Sequence, residues 1–175
     1  MKHFIICFAF NLLSVSIEAQ CNFLNALGIK DIQVGKRLVD TNMILLNDHP
    51  SKHKYEVSNK NYNYFLCKDS LLIGKGASFQ DIIVATDVNL KIEGVFIIIE
   101  RNNVDIDHLR KIFGNERLRS SLEIGKTIDH ITYYWTTLSG ISIFFVQYLN
   151  STESNFLEIY SSDNFEMRPL LDRLR

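Results

Sequence analysis

The stretch "LKIEGVFIIIE", residues 90–100, contains a run from Val95 to Ile99 that is apolar at every position. A strand without polar alternation is covered on both faces, so this run predicts a central strand of a β-sheet. The preceding stretch "FQDIIVATD", residues 79–87, is also rich in β-branched residues. A turn around Asp87–Asn89 joins the two stretches, and together they predict two consecutive strands of that sheet.

Further strands are predicted on both sides of these two. Loose alternation in "NYNYFLCK", residues 61–68, predicts one strand before them. Three strands with short turns between them predict an antiparallel meander near the C-terminus. These three strands are "HITYYWTT" (residues 130–137), "ISIFFVQYL" (residues 141–149) and "NFLEIYSS" (residues 155–162).

Helices are predicted in two places. The stretch "CNFLNALGIKDIQVGKRLVDTN", residues 21–42, has apolar residues at helical spacing and predicts two helices that are broken at Gly28. The stretch "NNVDIDHLRKIFGN", residues 102–115, predicts a third helix, with its apolar face at Ile106, Leu109, Ile112 and Phe113. Gly114 can adopt the left-handed conformation that ends a helix. The expected fold class is therefore α+β: an antiparallel sheet of about five or six strands with helices packed mainly on one face.

The N-terminal segment has the three-part pattern of a secretory signal peptide. Lys2 precedes a short apolar run, Phe4 to Phe10, that is too short to cross a membrane, and small Ala19 offers a cleavage site. We therefore predict that residues 1–19 are removed and that residues 20–175 form a single domain with no transmembrane segment. The expected location is secreted or periplasmic.

Two cysteines remain after removal of that segment, Cys21 and Cys67. An even pair in an exported protein favours a disulfide bond, which would stabilise the fold by about 4 kcal/mol according to chain entropy. Lipid attachment at Cys21 is disfavoured because Gln20 and Glu18 stand where a lipoprotein signal needs small or aliphatic residues. Two unpaired thiols remain the other alternative.

Charge and composition limit the classes of ligand. The formal net charge of the chain is -1, which gives no general attraction to nucleic acid. His49 and His53 are four residues apart, as in some zinc sites, but Pro50 opposes a helix there and no third ligand is visible. No metal ion or other cofactor is predicted.

Tyrosines and one glycosylation acceptor are candidate surface positions. Tyr55, Tyr62 and Tyr64 alternate with lysines, a composition typical of contacts with a protein partner. Asn150 begins the sequence "NST", which is an acceptor for N-linked glycans in a eukaryotic secretory pathway.

The run Tyr133, Tyr134, Trp135 divides between the two faces of a strand. Tyr133 and Trp135 share one face, and we expect Trp135 to pack in the core against Phe145 and the central strand. An exposed aromatic platform for a ligand is the alternative.

Three hypotheses for the function follow. The first is an exported, non-enzymatic domain that binds a protein or surface partner, as an adaptor, an inhibitor or an envelope component. The second is a small exported hydrolase whose site is assembled from scattered residues such as His108, Asp129 and His130, or from Cys67 with one of these histidines. The third is a ligand carrier that uses an aromatic sheet face. The first is favoured because no catalytic motif is visible, so we predict no catalytic residue.

Overall fold

A computed structural model describes residues 24–39, 43–47, 61–67, 79–99, 106–124, 127–149 and 154–161. Within these ranges the chain forms eleven strands and one helix. The strands are β1 (Leu24–Asn25), β2 (Gly28–Ile29), β3 (Ile32–Gln33), β4 (Met43–Leu45), β5 (Asn63–Cys67), β6 (Phe79–Thr86), β7 (Ile92–Ile99), β8 (Leu118–Ile124), β9 (Thr127–Thr136), β10 (Ile141–Tyr148) and β11 (Asn155–Ser161). The helix, α1, is Ile106–Phe113.

Eight of these strands form one antiparallel sheet in the order β4-β5-β6-β7-β11-β10-β9-β8. Strand β7 lies near the centre, where its Ile97 is opposite Ile82 of β6 and Leu157 of β11. All eight residues of β7 are buried, which confirms the central strand predicted from its apolar run. The predicted meander is also confirmed, because β9, β10 and β11 pair consecutively.

The predicted α+β fold class is wrong. The described residues contain one short helix, and they form an eight-stranded and a three-stranded sheet instead of a five- or six-stranded sheet with helices on one face. The two helices predicted over residues 21–42 are replaced, in the described part, by β1, β2 and β3. Gly28 and Lys30 have positive φ angles of 152° and 49°, which turn the backbone out of a helical path. The apolar spacing that predicted a helix is equally satisfied by the short ladder, in which Ile29 lies opposite Ile32.

The small sheet β1-β2-β3 packs on one face of the large sheet, which we call the first face. Backbone hydrogen bonds fix its position: Gly35 N–H donates to the carbonyl of Ile92, and Leu38 N–H donates to that of Leu90. The buried apolar residues of this layer include Ile29, Ile32, Ile82, Val95, Ile97, Leu109, Trp135, Phe145, Leu157 and Ile159. The main core therefore lies between the two sheets, and α1 contributes Leu109 to its margin.

The helix α1 begins and ends within the predicted stretch of residues 102–115. Leu109 is buried, and Ile106, Ile112 and Phe113 pack partly buried against the first-face core, as predicted. Gly114 has a φ angle of 82°, which confirms its predicted role at the end of the helix.

An ion pair holds the turn after α1. Arg110 donates two hydrogen bonds to the Glu116 carboxylate, from Nε to Oε2 at 2.9 Å and from Nη2 to Oε1 at 2.6 Å. A third, from Nη1 to Asp107, measures 2.9 Å. The hydrogen bonds from Arg110 lower the pKa of Glu116 to about 2. The paired hydrogen bonds between Arg110 and Glu116 orient the chain between the end of α1 and the start of β8.

The opposite, second face of the large sheet has its own cluster. Its buried residues are Leu46, Tyr64, Ile83, Ala85, Phe96, Ile98, Tyr148, Phe156 and Tyr160. The rings of Tyr134, Phe144 and Tyr160 contact one another in a row across three strands, with centroid separations of 4.6 Å for the tilted first pair and 5.7 Å for the stacked second pair. Tyr134 therefore faces away from Trp135, as strand alternation predicts.

Several predicted features lie outside the described residues. Among the described ranges, α1 is much too short to cross a membrane, and no other helix has the length or apolar character to do so. The features that cannot be placed are the segment of residues 1–19, Cys21, His49, His53, Tyr55 and Asn150.

Candidate functional site

The outermost strand of the large sheet, β8, is the most unusual surface of the described structure. It pairs with β9 from Leu118 opposite Tyr134 to Ile124 opposite Thr127. No described residue pairs with its other edge, because β8 ends the strand order. All seven of its residues are exposed, so β8 extends beyond the layers that cover the centre of the sheet.

Side chains of β8 alternate between the two faces of the sheet. Leu118 and Leu122 lie opposite Tyr134 and His130, on the second face, and Ser120 and Ile124 follow the same alternation. Arg119, Ser121 and Glu123 therefore lie on the first face. The guanidinium carbon of Arg119 is 5.6 Å from the ring centroid of Tyr133, a cation–π distance.

Strand β9 contains a bulge, and its pairing with β8 continues on both sides of that bulge. Leu122 lies opposite His130 and Glu123 lies opposite Ile128, so Asp129 is the extra residue. The carbonyl of Asp129 accepts a hydrogen bond of 2.8 Å from Leu149 N–H, which ties the bulge to the end of β10. The irregularity is in β9, and β8 keeps a regular alternation along its full length.

The second-face side of β8 is an exposed apolar stripe. Leu118, Leu122 and Ile124 are 61%, 42% and 61% exposed. The strand at the opposite end of the sheet, β4, has only three residues. Proteins normally shorten, charge or cover a free strand edge, because its unpaired N–H and C=O groups attract other strands. Strand β8 is neither short nor covered by a described residue, and its two charged residues, Arg119 and Glu123, lie on the face opposite the apolar stripe.

The structure brings together two of the three residues proposed for a hydrolase. His130 Nδ1 is 3.0 Å from Asp129 Oδ2, and the His130 ring packs against Tyr148 with a centroid separation of 5.3 Å. His108 lies on α1, which packs on the first face, whereas His130 and Tyr148 lie on the second face. The sheet therefore separates His108 from the Asp129–His130 pair. In the part of the chain that the structure describes, no group of three or more His, Cys, Asp or Glu residues could hold a metal ion.

Two of the three tyrosines proposed for partner binding lie in the described structure. Tyr64 is 0% exposed and belongs to the second-face core, whereas Tyr62 is half-buried beside it, with a ring-centroid separation of 6.5 Å. Burial, followed by the proximity of Tyr62, raises the pKa of Tyr64 above its usual value. Tyr64 is thus placed as a core residue, and a partner-binding role of Tyr55 and Tyr62 stays a prediction.

We predict that Tyr64→Phe leaves the free energy of unfolding unchanged or raises it by about 1 kcal/mol. The Tyr64 hydroxyl is buried without a hydrogen-bond partner among the described residues, so its removal loses no bond and avoids a desolvation penalty. Urea denaturation of the variant and the parent measures the difference. Tyr62→Phe is the matched control, and a loss of more than about 1 kcal/mol in Tyr64→Phe alone would contradict the prediction.

Cys67 ends β5 and is buried against the first-face core. It is the one cysteine within the described ranges, since Cys21 precedes them. The disulfide bond between Cys21 and Cys67 therefore stays a prediction.

Trp135 occupies the position that the sequence predicts for it. It is 2% exposed, shares the first-face core with Phe145, and stacks on Tyr133 with a centroid separation of 6.3 Å. Its indole N–H donates a hydrogen bond of 2.9 Å to the carbonyl of Gly114. An aromatic platform for a ligand is therefore absent at this residue, which instead joins the end of α1 to the sheet.

Strand β8 is not among the strands that the sequence predicts, because residues 118–124 follow a charged segment and resemble a connection. A signal was present: Leu118, Leu122 and Ile124 stand at even spacings and are separated by Arg, Ser and Glu. This pattern of period two is typical of a strand with one apolar face.

Searches of the chain against protein-family models, curated proteins and solved structures find no match in any of the three.

Proposed function

We propose that this chain is an exported, non-enzymatic domain that binds a protein partner, and that the free edge of β8 is the binding surface. One observation carries the proposal: a seven-residue strand is exposed along its whole length, is paired on one side only within the described chain, and carries an apolar stripe. Pairing through such an edge gives affinity from main-chain hydrogen bonds and specificity from the alternating side chains.

The rest of the sheet supports this use of β8. A partner strand needs a rigid template, and β9 is held by the neighbouring β10 over seven paired positions, from Ser142 with Thr136 to Tyr148 with His130. Trp135, in the same strand, is anchored in the first-face core and bonded to Gly114. The edge strand is therefore held by a neighbour that is partly buried and that pairs with β10 over most of its length.

Export is the second part of the proposal, and it rests on the sequence of residues 1–19. The charged start, the short apolar run and the small residue at position 19 support a secretory signal. An edge strand on an exported domain would meet partners in the envelope or the medium, where adaptors, inhibitors and envelope components act.

The hydrolase hypothesis receives less support from the described residues. The Asp129 carboxylate is within hydrogen-bond distance of the His130 ring, but His130 is 8% exposed and its ring packs against Tyr148. A histidine in that environment has an ordinary structural use as an anchor for the β9 bulge. The edge strand is therefore the better-supported site.

We expect Leu122→Lys to abolish capture of the partner while the domain stays folded. A lysine on the apolar side of an edge strand opposes the burial of that side against a second strand. The measurement is affinity capture from the envelope and culture medium of the producing cells, using the tagged chain, followed by mass spectrometry.

Leu138→Lys is the matched control, because Leu138 is also an exposed leucine but lies in the turn between β9 and β10. The proposal predicts that the parent and Leu138→Lys recover the same protein and that Leu122→Lys does not. Equal recovery by all three chains, or failure of the parent to recover either another protein or an untagged second copy of this chain, would refute β8 as the binding surface. Circular dichroism verifies that both lysine variants keep the strand content of the parent.

A further inference from the structure

The edge strand β8 has a chemical pattern that is complementary to itself. Its sequence is "LRSSLEI", residues 118–124, with an arginine two residues before the central Ser121 and a glutamate two residues after it. Apolar residues occupy both ends, Leu118 and Ile124. When a second copy of β8 lies antiparallel to the first, the arginine of each copy can face the glutamate of the other, and the apolar ends can face each other.

Sheet geometry limits how two copies of β8 can pair. A two-fold axis perpendicular to the sheet keeps each side chain on its own face, so residues that lie opposite one another must point to the same face. The axis must then be level with one residue, which lies opposite its own copy. It cannot be level with a point between two residues. Within the middle of β8, the choices are Ser120, Ser121 and Leu122.

Only the axis through Ser121 overlaps all seven residues of the strand. It places Arg119 of each copy opposite Glu123 of the other, and Leu118 opposite Ile124. An axis through Ser120 places Arg119 opposite Ser121, and an axis through Leu122 places Glu123 opposite Ser121. The register with the longest overlap is thus also the one in which both charges of β8 are complementary.

We propose that the partner of β8 is a second copy of this chain, paired antiparallel about a two-fold axis at Ser121, so that the eight-stranded sheet continues across the dimer. This inference rests on the proposed function of β8 and names the partner. The two Arg119–Glu123 pairs lie on the first face, and the two apolar stripes meet on the second face. Two-fold dimers are the commonest symmetric assemblies, and one isologous edge satisfies both strands at once.

Other features of the molecule agree with this partner. The formal net charge of -1 creates little repulsion between copies. Arg119 is exposed and held over Tyr133, 5.6 Å from the ring centroid, so its side chain is already oriented on the face where Glu123 of the other copy would arrive. Opposite charges directly across an antiparallel pair are favourable, whereas like charges are unfavourable.

Charge reversal tests the register as well as the dimer. Arg119→Glu and Glu123→Arg each place like charges opposite one another twice, so each should raise the dimer dissociation constant by about tenfold or more. An equimolar mixture of the two variants restores opposite charges at both positions in the heterodimer. Sedimentation velocity over a range of concentrations should therefore show weakened self-association for each variant alone and a restored dimer for the mixture. Lys111→Glu on the exposed side of α1 is the control, and it should sediment like the parent.

A second measurement uses the residue on the proposed axis. Ser121→Cys places two thiols opposite one another at a separation that allows an intermolecular disulfide, since directly opposed residues lie about 4.5–5.5 Å apart between Cα atoms. Under mild oxidation this variant should form a covalent dimer on non-reducing gels, whereas Ser139→Cys in the β9–β10 turn should not.

The outcomes distinguish this inference from the proposed function. A parent chain that stays monomeric up to about millimolar concentration, or a dimer unaffected by either charge reversal, overturns the β8–β8 dimer. If the monomer still captures a different protein and loses it in Leu122→Lys, the proposed function survives without the inference. If Leu122→Lys also changes nothing, both are refuted.

Discussion

Replacing Trp135 with alanine should lower the free energy of unfolding by about 3–5 kcal/mol, the cost of removing a large buried aromatic side chain. Trp135 is 2% exposed and contacts both Phe113 of α1 and Tyr133 of its own strand. The substitution removes these ring contacts and leaves a cavity on the first face. It also removes the hydrogen bond from the indole N–H to the carbonyl of Gly114.

Trp135→Phe separates these contributions. Phenylalanine keeps most of the apolar contact and loses the hydrogen bond, so we expect a smaller cost of about 1–2 kcal/mol. Urea denaturation followed by circular dichroism measures both variants. If Trp135→Ala cost less than about 1.5 kcal/mol, then Trp135 would not be the core residue that the first face requires.

Gly28→Ala should destabilise the fold by about 3 kcal/mol through backbone strain and a steric clash. Gly28 has a φ of 152°, and a Cβ built there would overlap the backbone carbonyl oxygen of Ile32. That carbonyl belongs to β3, which pairs with Gly28 through Gln33. The clash therefore cannot be relieved by a side-chain rotation, and β2 and β3 must move apart.

Gly35→Ala is the matched control, because Gly35 also has a positive φ, 88°, but nothing lies within 4 Å of an added Cβ. Its cost should be limited to the conformational strain, about 1 kcal/mol. Thermal and urea unfolding give the loss in free energy of unfolding for each variant. The difference between the two losses is the cost of the steric clash at Gly28. Equal costs at the two positions would contradict the tight approach of β2 to β3.

The centre of the fold could be predicted from the sequence because its residues are buried on both sides. Val95 to Ile99 has no polar alternation, and only a central strand accommodates such a run. The end of α1 was predictable for a different reason: Gly114 follows an apolar face of helical period and supplies the positive φ that ends the helix.

The N-terminal layer could not be predicted in the same way. In residues 24–33 the strands have two residues each, which is too short for either period to be distinguished. The strand identity comes from contact with the large sheet, including the hydrogen bond from Gly35 to Ile92. Tertiary contacts of this kind are not encoded in local spacing.

The candidate site was the least predictable part. Tyr64 looks like an interface residue by composition, and its burial follows only from its place in β5 beside β6. The residues that carry the proposed site, Leu118 to Ile124, resemble a connection because their neighbours are charged. Their exposure has a structural cause, since β8 is last in the strand order, and strand order is not visible in a single sequence.

The strand order of the large sheet also determines the sequence of events by which the chain can fold. From β4 to β7, and again from β8 to β11, every described pair joins strands that are consecutive in sequence. Each half can therefore form by pairing strands that are neighbours in sequence, and the short β8–β9, β9–β10 and β10–β11 hairpins can close on a microsecond scale. The pairing of β7 with β11, where Ile99 meets Asn155, is the one junction in this sheet between strands that are not consecutive. The loop-closure entropy of this pairing is the long-range contribution to the folding barrier of this sheet, and it falls between two strands of which all residues but Ser161 are buried.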